Sequence, residues 1–316
     1  MAKLKKQHMT IHWKAIVQDD SSIPATEATL KEKATLVGRI GLMMLSVGTG
    51  AWRVRNSMNK VARCLGITCT ADIGLLAISY TCIEGTDTYT QSISLPTTGV
   101  NTHKLMELEL FMKEFPDKVS TYSVKHIHEV LDEIQKLPAN YQAWNLGLAS
   151  ALACGAFTFL LGGGPVEMCC AFLGAGVGNF VRKKMLGHSI SLLANVAVSV
   201  AASCLVYVLT ILLAQSLLSV SAVHQAGYIC AMLFVIPGFP LITGGIDLAK
   251  LDLRSGLERV SYALLIILTA TMTGWATAAI CQFQPADFEP LQLQKWTLLC
   301  FRLITSFCGV YGFSLM

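Results

Sequence analysis

Charge is what this sequence has least of. Only 14% of its 316 residues are Asp, Glu, Lys or Arg, against about a quarter in soluble domains. Hydrophobic residues make up 53%, and the mean hydropathy is +0.54. These values exclude an ordinary soluble globular protein. The net charge of +4 is accounted for by the topology below and is not the footprint of a nucleic-acid-binding surface. The eleven cysteines include no CxxC pair. Most lie in apolar runs (Cys154, Cys169, Cys170, Cys204, Cys230, Cys281, Cys300, Cys308), where a free thiol packs as a small hydrophobe. Neither a metal site nor a disulfide framework is expected. His126 and His128, two apart, fall on different faces of a helix and are not read as metal ligands. Gly162-Gly163-Gly164 lacks the Gly-Lys-Ser/Thr ending of a phosphate loop and reads as a turn. There is no Gly-x-Ser-x-Gly or His-Glu-x-x-His pattern, so enzyme chemistry has no handle and no cofactor is implied. The basic start, with Lys3, Lys5 and Lys6, is not followed by an apolar run. No signal peptide is therefore expected, and the N-terminal part is expected to stay in the cytoplasm.

What is present divides near residue 140. Residues 1–27 are polar without period and are expected to form a flexible tail. Residues 28–65 read as a long amphipathic helix. Leu36, Ile40, Met43, Met44 and Val47 recur at helical spacing, and Val54, Met58, Val61 and Leu65 resume it after a break at Gly48-Thr49-Gly50. Gly66 is placed to end it. Leu76, Ile78, Tyr80 and Cys82 alternate with smaller residues as a strand does, Gly85-Thr86-Asp87 signals a turn, and residues 89–95 form a second strand candidate. Residues 101–116 and 122–138 read as short helices, the second closed by Pro138 and Asn140. Residues 28–140 are thus expected to be a cytoplasmic α/β domain of order α-β-β-α-α.

Beyond Tyr141 the charges nearly vanish. Residues 141–181 hold one, Glu167, and residues 189–246 and 260–286 hold none. A spanning helix needs about 20 apolar residues, so each stretch must be divided. Turn residues place helices near 142–161, 166–181, 189–214, 224–246 and 258–281. A sixth begins near Trp296. Residues 141–281 are then a five-helix transmembrane domain, and 282–316 an outer loop with the start of a sixth span. With the N-terminal domain inside, Arg182, Lys183, Lys184, Lys250, Arg254 and Arg259 all fall in inner loops. The outer loops 162–165, 215–223 and 282–295 hold one basic residue, Lys295, as the positive-inside rule requires. The fold class expected is an α-helical multi-pass membrane protein of five to six spans behind a cytoplasmic α/β domain, in the plasma (inner) membrane.

Residues 234–247 carry the most chemistry. Pro237, Gly238, Pro240, Gly244 and Gly245 inside one span cannot make a regular helix. Carbonyls freed there must be satisfied by protein or by cavity water, and transporters place solutes at such breaks. Pro237, Gly238, Pro240 and Thr243 are therefore candidates for a solute path, the alternative being a structural kink. Asp247 and Glu167 are carboxylates within or beside spans, which marks them as functional candidates. Either would bind a coupling proton. The alternatives are an interfacial ion pair of Asp247 with Lys250 and Arg254, and a merely solvated Glu167. Gly174, Gly176 and Gly178 allow close helix contact, and Asn179 reads as polar path lining or an interfacial cap. Helices one to five are read as holding no membrane-embedded cation.

Several of these segments carry a resemblance. Ser46-Val47-Gly48-Thr49-Gly50-Ala51-Trp52-Arg53-Val54, continuing through Met58 and Ala62-Arg63-Cys64-Leu65-Gly66, resembles the N-terminal signature of the threonine/serine exporter family, which includes a split pair proposed to export succinate. Tyr141 and residues 157–164 resemble the entry to its first span. Pro237-Gly238-Phe239-Pro240 with Asp247 resembles its most distinctive membrane motif, and Ser255-Gly256-Leu257-Glu258-Arg259 the segment that follows. The likeness covers about residues 28–281. Two positions depart: Arg55 stands where the family often has an acid, and Glu167 where the second span usually has Asp. The resemblance implies export of threonine, serine or a small dicarboxylate such as succinate. Full-length members resemble two halves of about five spans each, so a partner is implied: a second-half transmembrane subunit, or homo-oligomerisation. A truncated chain is the alternative. The expected function is a component of a secondary, proton-coupled exporter, whose other partners are the lipid bilayer and the small-molecule solute. The competing reading is a non-transporting membrane sensor or scaffold whose cytoplasmic domain binds a partner.

Overall fold

The computed structural model describes residues 13, 23–137, 141–186, 188, 190–218, 227–283 and 295–315. The expected tail over 1–27 lies mostly outside them. So do Pro138, Asn140 and the greater part of the outer loops 215–223 and 282–295. Two compact units emerge, Met1–Asn140 with Gly238–Tyr262 and Tyr141–Pro237 with Ala263–Met316.

The first unit is built around α1 (Leu30–Ser46). Thr29 caps it: its hydroxyl oxygen accepts from the Glu32 N–H, and the Glu32 carboxylate accepts from the Thr29 N–H, so two orphan donors of the first turn are satisfied reciprocally. Leu36, Val37, Ile40, Met44 and Leu45 are fully buried, so α1 is a core helix covered on several sides. α2 (Ala51–Cys64) follows a break at residues 47–50, where Gly48 adopts φ +90. A left-handed residue ends a helix without Cβ strain only if it is glycine. Val54, Met58 and Val61 turn α2 onto α1, and Gly41 of α1 leaves room for the Met58 side chain.

Three antiparallel strands follow, β1 (Thr68–Ile73), β2 (Ala77–Glu84) and β3 (Asp87–Ser94), in the order β1-β2-β3. The sequence reading missed β1. Its inward residues, Cys69, Ala71 and Ile73, are small or single, and Thr68, Thr70 and Asp72 face out, which leaves a faint apolar alternation. Ile78, Tyr80 and Cys82 of β2 point inward. On the outer face Ser79 pairs with Ser92 at 3.0 Å and Thr81 with Thr90 at 2.9 Å, the cross-strand hydroxyl pairs expected of a wetted face. The sheet closes on α1 where Gly38 lies under the Tyr80 phenol: a Cβ there would stand 2.1 Å from its oxygen.

α3 (Thr102–Lys118) and α4 (Val124–Lys136) complete the layer, capped by the Asn101 and Ser123 side chains. His128 of α4 is buried against Arg39 of α1. The guanidinium lies 2.9 Å from His128 Nδ1, donates to the His128 carbonyl at 2.9 Å and pairs with Asp132. His126 is half-exposed beside Glu129, so the two histidines do fall on different faces. α9 (Gly238–Ala249) and the first turns of α10 (Leu253–Ile280) also belong to this unit.

The second unit is helical: α5 (Ala143–Leu160), α6 (Pro165–Leu186), α7 (Leu192–Leu218), the short α8 (Tyr228–Ala231), the rest of α10, and α11 (Lys295–Leu315). Glycine sets its close approaches. A Cβ on Gly147 would meet the Gly176 carbonyl at 3.0 Å, and one on Gly174 or Gly178 would stand 2.8 or 2.7 Å from Ser203 of α7. Gly174 and Gly178 therefore serve α6–α7 contact and Gly176 serves α5–α6 contact, as small residues do between helices in lipid.

α5, α7 and α10 are long and apolar enough to cross a membrane, and the broken pair Tyr228–Val235 with Gly238–Ala249 passes the same test taken together. Among the described residues that makes three candidate spans, or four with the broken pair, in a mainly helical fold with one small sheet. α6 runs on to Leu186 and so takes in Arg182, Lys183 and Lys184, which the sequence reading had placed in a loop. α11 contributes only a shorter apolar stretch, Trp296–Gly312.

Candidate functional site

The proline-rich segment breaks where backbone sterics dictate. Leu233–Val235 tightens into a 3-10 turn and Ile236 is extended, because a following proline disfavours the helical region. A new helix then begins at Gly238. Pro240 lies in its first turn, where no N–H is needed, so Pro237 marks the break and Pro240 starts the next helix. The freed carbonyls of the second unit's side find protein partners. Ser203 Oγ donates to the Ala231 carbonyl at 2.8 Å, and the Arg182 guanidinium to that of Phe234 at 3.4 Å.

α9 carries Thr243 and Asp247. The helix runs past the expected end at 246 to Ala249, which puts Asp247 in its last turn, and Asp247 has no exposed surface. Its two carboxylate oxygens each lie 3.1 Å from the Ala51 N–H, so the carboxylate caps α2. A negative charge at a helix N-terminus meets the positive end of the helix dipole. Gly50 lets the chain approach so closely, since a Cβ there would lie 3.0 Å from Asp247 Oδ1.

From α10 come Ser255 and Arg259. The Ser255 hydroxyl donates to Asp247 Oδ2 at 2.9 Å, and Arg259 Nε lies 3.3 Å from the same oxygen while donating to Ser255 Oγ at 3.1 Å. The rest of the guanidinium reaches the α1–α2 loop, donating to the Thr49 carbonyl at 2.7 Å, the Gly48 carbonyl at 3.4 Å and the Thr243 hydroxyl at 3.4 Å. Thr243 in turn donates to the Phe239 carbonyl at 2.9 Å. Arg259 is only 3% exposed. The segments 46–54, 237–247 and 255–259, remote in sequence, thus meet at one buried ion pair.

An outer ring of charge surrounds the pair. Arg55 grips Asp252 with two bonds of 2.8 and 2.7 Å, a bidentate fork. That bond, before any other cause, holds the Arg55 pKa above its ordinary value. Arg254 pairs with Asp72 of β1 and with Glu258, the Leu75 N–H donates to Glu258 at 2.6 Å, and the Lys250 ammonium lies 4.0 Å from the centre of the Trp52 ring. Lys250 and Arg254, the expected partners of Asp247 in an interfacial ion pair, are therefore engaged elsewhere, and Arg259 takes their place. Arg259 is buried within the turns of α10 that belong to the first unit. Charge alternation had assigned it to a loop.

Glu167 and Asn179 belong to the second unit. Glu167, 3% exposed, accepts from the Gly164 N–H at 2.9 Å, the back-reaching half of a capping box. It is thus buried at the start of α6, not solvated. Asn179 donates to the Leu146 carbonyl of α5 at 2.9 Å. Sequence reasoning also missed Asn195, whose buried amide donates to the Arg182 carbonyl at 3.2 Å. Among the described residues no cluster of His, Cys, Asp and Glu is arranged to hold a metal ion.

Residues 35–281 match the family described as "Putative threonine/serine exporter", ThrE. The match contains every segment that meets at the Asp247–Arg259 pair. Two similar proteins are named "Probable succinate transporter subunit YjjP". That of Klebsiella aerogenes is 25% identical over 236 residues, 74% of this chain and 87% of its own length. That of Escherichia coli strain K12 is 24% identical over 235 residues, 74% and 88%. No solved structure matches the chain significantly. With most of its length inside the family match, the chain belongs to the threonine/serine exporter family, a family of membrane transporters.

Proposed function

We propose that this chain is a component of a secondary exporter of small carboxylate-bearing solutes, either threonine and serine or a C4 dicarboxylate such as succinate, coupled to proton movement. The observation that carries the reading is the buried Asp247–Arg259 pair, because it ties the broken-helix segment to the α1–α2 loop. Every candidate solute bears a carboxylate. Arg259 is a bidentate carboxylate ligand by its geometry, and in the pair it is occupied by Asp247. Protonation of Asp247 releases the guanidinium for a solute carboxylate and loosens the cap on α2. Proton and solute then favour the same rearranged state, which is what coupling requires. Thr243, one bond from Arg259, and the break at Pro237, Gly238 and Pro240 line the solute path. Glu167 is the second candidate proton site, and Asn179 supports the helices beside it. On this reading the chain is a transporter component and not an enzyme.

The same reading keeps the division into a tail (1–27), a cytoplasmic domain (28–140), a five-helix membrane domain (141–281) and an outer loop with a sixth span (282–316). It keeps the N-terminus inside and the plasma membrane as the location. For α6 to be a span, its basic end must sit at the inner interface, where Lys and Arg side chains snorkel. A second transmembrane subunit, or further copies of this chain, completes the path; the relatives named as transporter subunits support this. The test is efflux of preloaded labelled threonine, serine and succinate from cells expressing the chain, alone and with a candidate second subunit. Wild type and Asp247→Asn are compared at matched levels of folded protein. Efflux that requires the subunit and falls at least tenfold in Asp247→Asn is expected. Efflux of none of the three from folded protein in either setting refutes the transport reading. Unchanged efflux by the variant removes Asp247 from the path.

A further inference from the structure

Cys69 and Cys82 are directly opposite each other on β1 and β2. Their pair type follows from the hairpin closure. The Gly74 N–H donates to the Ala77 carbonyl at 2.8 Å, so Gly74 and Ala77 form a hydrogen-bonded pair. Pair types alternate along an antiparallel ladder, and five steps back Cys69–Cys82 is a non-hydrogen-bonded pair. Such pairs bring Cα atoms to about 4.5 Å with their side chains close, at the short end of the Cα separations that a disulfide bridges. Both side chains point into the core face of the sheet. Cys82 is fully buried, Cys69 keeps 7% exposure, and both are free thiols.

We propose that Cys69 and Cys82 are a reversible dithiol/disulfide pair, oxidised by small hydroperoxides and reduced by low-molecular-weight thiols. Cys69 is the attacking residue. It is the more accessible thiol, and the hydrogen bond from the Cys82 thiol lowers its pKa, while that same bond followed by burial raises that of Cys82. The Cys69 thiolate attacks the peroxide oxygen and breaks the O–O bond, giving a sulfenic acid and one alcohol, or one water from hydrogen peroxide. The Cys82 sulfur then attacks the Cys69 sulfur, and the sulfenic hydroxyl leaves as water with the Cys82 proton. Two thiols lose two electrons and two protons, and the peroxide takes up both. That separation lies within the range a disulfide spans, so the bond can close without moving the strands. β1 is also the strand whose Asp72 holds Arg254 and whose Ala71 carbonyl lies 3.4 Å from Arg55 Nε. The bond would therefore stiffen the strand that anchors residues 252–258.

The test uses the full-length chain in nanodiscs. After hydrogen peroxide treatment, remaining thiols are blocked with N-ethylmaleimide and the protein is digested without reduction. Mass spectrometry should find the Cys69 and Cys82 peptides linked, and tris(carboxyethyl)phosphine should separate them. In Cys82→Ser, a dimedone adduct should accumulate on Cys69 instead. A wild-type chain in which both thiols remain fully alkylatable after peroxide, or in which Cys69 links to a different cysteine, overturns the proposal. So does a bond that forms only after denaturation. The wild-type measurement decides even where a variant fails to fold.

Discussion

Replacing Asp247 by Asn removes one charge from a pair that water does not reach. The amide oxygen can still accept from the Ala51 N–H or the Ser255 hydroxyl, but the amide nitrogen is a donor set among donors. It leaves Arg259, 3% exposed, hydrogen-bonded to neutral groups, the carbonyls of Gly48 and Thr49 and the hydroxyls of Ser255 and Thr243, with the Glu258 carboxylate as a weaker, more distant charge. Breaking a buried pair by removing one partner costs about 3–5 kcal/mol. At about 2–4 °C per kcal/mol for a unit of 150–250 residues, the lower figure lowers the thermal midpoint by roughly 6–12 °C. Thermal unfolding in detergent, followed by tryptophan fluorescence of Trp52, which contacts Lys250, would report it. A double-mutant cycle with Arg259→Met isolates the pairing, since Asp247→Asn with Arg259→Met leaves no orphaned charge. The double variant is expected to recover at least half of what the Asp247→Asn single loses. Two singles each within about 0.5 kcal/mol of wild type, the range of ordinary surface changes, would refute the claim that this pair holds the first unit together. Additive losses would show that the two residues act independently.

Two further predictions concern the α1 core. Gly38→Ala drives a methyl group into the Tyr80 phenol, 2.1 Å from its oxygen and 2.4 Å from Cζ, and should cost about 1–3 kcal/mol by overpacking. Tyr80→Phe should not rescue it, because the ring carbon is still in the way; chemical denaturation of both variants checks this. His128 is held neutral, its pKa lowered to about 4, first by burial and next by the Arg39 guanidinium, with Asp132 opposing. A depressed folded-state pKa means that the unfolded chain binds the proton first. The stability is therefore fully present above about pH 6.5 and is lost as the pH falls from there towards 4, a limb of about 3 kcal/mol. His128→Gln should flatten that limb of a stability–pH curve and leave the neutral range unchanged in slope.

Much of the fold was legible because the periods were strong. The apolar runs, the break at Gly48-Thr49-Gly50, the helices over 102–118 and 124–136, and the alternation of β2 all follow from spacing and glycine placement. β1 was not legible, since its inward residues are too small to make a strong alternation. The helix ends were displaced wherever charge was used as a boundary: Arg182 to Lys184 continue α6, and Arg259 lies two turns into α10. Positive residues mark the inner side of a membrane, but they do not say where a helix stops.

The candidate site was half legible for a related reason. Asp247, Thr243 and the two prolines stood out locally, because a carboxylate and a broken ladder are costly wherever they lie in a span. Their partner did not. Arg259 falls only five residues after Arg254 and nine after Lys250, and nothing local separates one buried cation from two that face outward. What distinguishes it is the loop around Gly48 and Thr49, more than 200 residues away, whose carbonyls receive it. Gly48 supplies the left-handed turn that exposes those carbonyls, and Gly50 the bare backbone that lets Asp247 reach the Ala51 N–H. An ion pair of this kind is stable only if both halves of its cradle form together. A substitution in the α1–α2 loop, such as Gly50→Val, should thus disturb residues 243–259 as strongly as a substitution at Asp247 itself. Limited proteolysis near residues 249–254 should find the two variants equally sensitive; a protected Gly50→Val protein would mean that the loop and the broken helix fold independently.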